Sequence, residues 1–118
     1  MFNAIVEWNK NRNNTEFVRT NEFAMLHEEL MELMSATNDH EEVDALCDLI
    51  VIATGAIWKL GYDPELSMIE TLREINSRKQ DPIQKAMWKA KGISGKWLKH
   101  KEQDPSTLYK ADYEKAKL

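Results

Sequence analysis

The amino-acid sequence predicts an all-α chain of the four-helix bundle type, completed by oligomerisation and followed by an irregular basic C-terminal tail. Three observations carry that prediction. Period-2 alternation is hard to find, apolar residues recur at steps of three and four, and glycines and prolines fall between the helical patterns rather than at hairpin turns. With 118 residues, 42% of them apolar, the chain has the size of one domain, 1–118, and one modest core, which subunits this small often enlarge by assembling. The helical core is expected over about 1–80 and the lysine-rich tail over 81–118.

The first helix is expected from Phe2 to about Asn11, with Phe2, Ile5, Val6 and Trp8 on its apolar side, and "NRNNT" breaks it. A second runs from Thr20 or Asn21 to Ala36, where Phe23, Leu26, Leu30, Leu33 and Met34 recur at helical steps and Leu30 centres the apolar arc. A third starts near His40 or Glu41 and stops at Gly61, a residue suited to follow a last helical turn. Asp63 and Pro64 supply an N-cap and a first-turn proline for a fourth, striped by Leu66, Ile69, Leu72 and Ile75. Beyond Asp81 and Pro82 the lysine-rich sequence, interrupted by "GISG" and "DPSTLY", predicts a short helical turn and then an extended tail.

Composition narrows the function. The longest strongly apolar run, Leu49 to Trp58, is about half the length needed to cross a bilayer, so a soluble, cytoplasmic protein without membrane contact is expected. The single cysteine, Cys47, sits in the apolar third helix and reads as packing, with no disulfide framework or zinc cluster. The net charge of −4 is uneven: residues 1–60 carry 4 Lys/Arg against 11 Asp/Glu, and residues 61–118 carry 12 against 9. An acidic half able to hold divalent cations beside a basic half able to hold phosphates suits a phosphorylated small molecule. Trp88 and Trp97 among tail lysines resemble a nucleic-acid surface, but the negative net charge ranks that reading low.

The stretch "DALCDLIVIATGAIWKLG", residues 44–61, poses the chemical question, because its apolar run carries Asp44 and Asp48 one turn apart. Residues four apart share a helix face, and Glu41 joins them in an acidic column. Burying such carboxylates costs several kcal/mol each, so a cation or basic partner is expected to neutralise them; the alternative is that Asp44 sits in the exposed first turn, helped by the helix dipole, and Asp48 pairs with one arginine. The preceding helix brings "HEELMEL", with Glu28, Glu29 and Glu32, a pattern that in isolation reads as a solvated face and gains weight only beside the acidic pair of the next helix. On a helical wheel Glu29 lies at the edge of the arc centred on Leu30, and Glu28 and Glu32 point nearly opposite it. Clusters of oxygen ligands from two short-linked helices favour hard cations such as Mg²⁺ or Mn²⁺, with phosphates completing the shell. Trp8, Asn9 and Asn11 could stack on and hydrogen-bond a base, against the ordinary packing role of a tryptophan. His27 reads as structural.

Taken in order, "HEELMEL", "EEVDALCDLIVIATGAIWKLGYD", "INSRK" and "GISGKWLK" resemble the all-α, MazG-like nucleoside triphosphate pyrophosphohydrolases, most closely their phosphoribosyl-ATP pyrophosphohydrolase-like branch. The resemblance covers about residues 20–100. It implies an obligate homo-oligomer, dimer or tetramer, that uses Mg²⁺ to hydrolyse a (deoxy)nucleoside triphosphate to a monophosphate and pyrophosphate. By that resemblance Glu29, Glu32 and Asp48 are metal ligands, and Glu28 is a further ligand or the base that activates water. Many relatives place a glutamate where this chain has Ala45, and Asp44 stands in for it. Asn76, Lys79 and Lys96 match substrate-binding positions; Trp8, which lies outside the resemblance, is a candidate substrate contact from the reading of the first helix alone. The alternatives are phosphoribosyl-ATP itself as substrate, or a non-catalytic helical interaction protein holding a structural cation.

Overall fold

The computed structural model describes residues 1–78, 82–92 and 108–118. Among them lie five α-helices: α1 (Phe2–Asn11), α2 (Arg19–Ser35), α3 (Asp39–Lys59), α4 (Pro64–Ser77) and α5 (Pro82–Ala90), with a 3-10 turn over Tyr113–Ala116. The described residues are therefore all-helical in class; α1 to α3 fall within a residue or two of their expected bounds, and α4 starts at the expected proline. It divides into two compact units, one formed by Met1–Glu65 with Ala116–Leu118 and one by Leu66–Lys115.

Local chemistry sets the helix ends in the first unit. Asn13 takes a left-handed backbone (φ 54), a conformation asparagine tolerates better than most residues, and closes α1. Asn38 caps α3, its side chain accepting from the Glu41 amide at 3.0 Å, while Glu41 reaches back to the Thr37 amide at 2.8 Å. At the other end Gly61 has φ 96; its amide donates to the Trp58 carbonyl and that of Tyr62 to the Ile57 carbonyl, the paired bonds of a Schellman stop. The last residues return to this turn: Asp63 donates to the Ala116 carbonyl at 2.7 Å, and Leu118 to that of Gly61 at 3.0 Å.

Helix α3 packs against both α2 and α1. The short link between α2 and α3, with Glu22 at the start of α2 paired to Lys59 at the end of α3, makes the two antiparallel. Gly55 allows the close approach of α1, because a Cβ there would lie 2.9 Å from Asn9 Nδ2. The packed face of α2 differs from expectation. Leu30, expected at the centre of the core-facing arc, is 45% exposed, and Phe23 and Met34 are more exposed still. The covered residues of α2 are instead Glu22, Met25, Leu26, Glu29 and Leu33. On α3, Val43, Leu46 and Ile50 are likewise about half exposed, and Cys47, expected to pack, is an exposed free thiol.

The second unit is built on α4. Residues 109–113 lie along it as a strap: the Tyr109 amide donates to Ser77 Oγ at 2.7 Å, the Ala111 amide to Glu74 Oε1 at 3.1 Å, and the Asp112 amide to Glu70 Oε1 at 3.0 Å. Tyr113 and Thr71 share a hydroxyl contact of 2.9 Å. Leu66, Ile69, Leu72 and Ile75, the expected apolar stripe of α4, are each 39–48% exposed. The part of the expected tail between 93 and 107 lies outside the described residues.

Candidate functional site

Antiparallel pairing of α2 and α3 brings Glu29 and Glu32 of one helix to Asp48 of the other. Each contributes a carboxylate oxygen within 4.8 Å of the other two. Glu29 and Glu32 are three residues apart and so share a face, which the helix pairing directs toward α3. Glu29 and Asp48 are partly covered and Glu32 is exposed. No basic side chain is bonded to them among the described residues, and Glu29 Oε2 is buried with no hydrogen-bond partner there.

The electrostatics follow from that arrangement. The Glu29 carboxyl is pushed up to about 7: partial burial is the largest cause, followed by a hydrogen bond shared with Glu32 and by the charges of Glu32, Asp48 and Glu28. Without a cation the group holds a proton that a free carboxylate would have lost. The donor set could hold a metal ion: three hard oxygens from two helices, a Glu29 Oε2 that is buried without a partner among the described residues, and a proton that positive charge would displace.

The other expected site residues fall in different places. Asp44 is exposed and outside the group of three, and Glu41, expected in the same acidic column, is committed to the α3 cap. Its hydrogen bonds from Thr37 hold the Glu41 carboxyl below the usual range. Ala45 is buried at 3% exposure. Glu28 is exposed beside the cluster and touches it through charge alone. Trp8 is 47% exposed with the Arg12 guanidinium 4.3 Å over its ring, while Asn9 is buried and bonded internally to Ile5 and Asn14. Asn76 is exposed on α4, in the second unit. Lys79 and Lys96 lie outside the described residues.

Two polar features escaped the sequence reading. Glu22 and Lys59 form a buried ion pair with side chains only 3% and 2% exposed. A lone lysine closing an apolar helix was the available signal, since a buried ammonium requires a carboxylate. Glu70, 2% exposed, is the other. No helix among the described residues is long and apolar enough to cross a membrane. Comparisons with family models, with curated proteins and with solved structures return no match to this chain.

Proposed function

We propose that this protein is a Mg²⁺-dependent nucleoside triphosphate pyrophosphohydrolase that works as a homo-oligomer. The observation that carries the reading is the convergence of Glu29, Glu32 and Asp48, with a buried Glu29 oxygen that has no partner among the described residues and a carboxyl raised to about 7. Those three residues would hold the cation, with Mn²⁺ as a substitute. When bound, the ion offsets phosphate charge and makes a coordinated water more acidic. Glu28, exposed beside the cluster, would take a proton from the water that attacks the α-phosphorus as pyrophosphate leaves. The four ordered sequence motifs supply the substrate class.

The exposed apolar residues support assembly. Phe23, Leu30 and Met34 on α2 and Val43, Leu46 and Ile50 on α3 are 45–72% exposed. Completing their burial contributes about 1 kcal/mol each, and a second copy laying the same pair of helices on this one would form a four-helix bundle. The same open faces also fit a non-catalytic interaction protein with a structural cation. Incubating the folded oligomer with a panel of ribo- and deoxynucleoside triphosphates and Mg²⁺, and assaying pyrophosphate, separates the two. Release is expected from at least one nucleotide, with Glu32→Gln or Asp48→Asn lowering it about a hundredfold or more while helical content stays. No release from any nucleotide would favour the interaction protein.

A further inference from the structure

The seam between α2 and α3 holds a second polar feature, seven residues and hence about 10 Å along α2 from Glu29. There the buried Glu22–Lys59 pair borders a cavity of about 100 Å³ walled by Trp8, Met25, Ile52 and Asn9. The polar atoms around it are nearly all used. Lys59 bonds Glu22 Oε1 and donates to Asn14 Oδ1 at 3.3 Å; Asn14 Nδ2 donates to Asn9 Oδ1 at 2.6 Å; Asn9 Nδ2 donates to the Ile5 carbonyl at 2.9 Å. Glu22 Oε2 is the exception, buried without a partner among the described residues. A buried acceptor without a donor is costly, so the cavity is incomplete as it stands.

The missing group has definable chemistry. Lys59 already balances the carboxylate charge, so the complement of Oε2 is a neutral N–H or O–H donor rather than a cation. Apolar walls and an indole at the edge favour a flat ring. The volume equals about three waters at roughly 30 Å³ each, well below the roughly 300 Å³ or more of a complete small-molecule site, so it takes a ring-sized fragment of a larger ligand. The rest of that ligand would run along the seam toward the carboxylates.

We infer that this cavity receives the base of a nucleotide, with Glu22 Oε2 accepting a base N–H and Trp8 flanking the ring. Glu22 is then a specificity-determining residue. The inference rests on the hydrolase reading for the charged part of the ligand, but the cavity can be tested without it.

The test titrates the full chain with adenosine, guanosine, cytidine and uridine, free of phosphate and added cation, following the Trp8 indole and the Glu22 and Gly55 amides by NMR. At least one nucleoside should shift all three signals. Its N-methylated counterpart lacking the donor, 3-methyluridine for uridine or N6,N6-dimethyladenosine for adenosine, should bind roughly ten- to hundredfold more weakly. Gly55→Ala, whose Cβ would press on Asn9, should weaken binding with the ion pair intact, and Glu32→Gln should leave it unchanged. No shift at millimolar nucleoside would mean that ordered water alone fills the cavity, and equal binding of the N-methylated form would remove Glu22 from recognition; either overturns the inference. Nucleoside binding without pyrophosphate release would leave the cavity standing and remove the hydrolase; pyrophosphate release without any nucleoside response would do the reverse.

Discussion

Two groups of glutamates at helical spacing, one in each unit, are treated in opposite ways. On α4, Glu70 accepts from Tyr109 Oη at 2.5 Å, from the Asp112 amide at 3.0 Å and from Arg73 at 2.7 Å, and these donors, Tyr109 foremost, hold its carboxyl below the usual range. Glu74 similarly takes the Ala111 amide and Arg78. On α2, Glu29 and Glu32 face each other and Asp48, and Glu29 is pushed up to about 7. Acidic residues at steps of three or four therefore say little by themselves about metal binding; the donors each oxygen meets decide it. The α4 group is satisfied from within the chain, whereas the α2–α3 group meets no positive charge among the described residues.

Breaking the satisfied group should have the largest structural effect. Glu70→Ala removes the acceptor of three donors, so the amides of Tyr109, Ala111 and Asp112 should exchange with solvent at nearly unfolded rates, and the melting temperature should fall. Glu29→Gln in metal-free protein should do the opposite at pH 8, leaving the melting temperature equal or higher, because it removes a repelled charge. Retained protection of the strap in the first variant, or a large loss of stability in the second, would erase the distinction.

The pH dependence sharpens it. Glu29 is raised, so its contribution to metal-free stability is complete below about 4.5 and is lost as pH rises through about 7. Glu70 is lowered, so its contribution is present above the ordinary carboxylate value and disappears as acid protonates it. Mg²⁺ affinity, read by calorimetry, should drop about tenfold per unit below pH 7 as protons compete for Glu29. Removing the ion with a chelator should restore the metal-free profile. The smallest effect concerns the capped carboxylate, Glu41: Asn38→Ala removes the reciprocal side of that cap and should cost about 1 kcal/mol in denaturant unfolding.

The helices were legible because periodicity, the break at "NRNNT", Gly61 and Pro64 each report local physics. The inward face of α2 was not. A helical wheel sums hydrophobicity, and Leu30 wins that sum, yet the side turned to α3 carries Glu22, made tolerable by a lysine thirty-seven residues away. Asp44 lies outside the group of three for a geometric reason. Four residues advance about 6 Å along the helix axis, so Asp44 lies a full turn from Asp48 and from the glutamates opposite it, and the cap claims Glu41. Glu29, Glu32 and Asp48 were readable as a group because two short-linked helices can meet only along matching turns. The strap on α4 was not readable, since its register depends on tertiary hydrogen bonds without a sequence period.

Cys47 gives the open face a built-in reporter. It is the chain's single thiol, solvent-accessible in the lone subunit and adjacent to Leu46 on α3. Alkylation kinetics across a dilution series would therefore follow covering of that surface without any substitution: slow labelling when concentrated and fast when dilute marks reversible association, and a constant rate marks its absence.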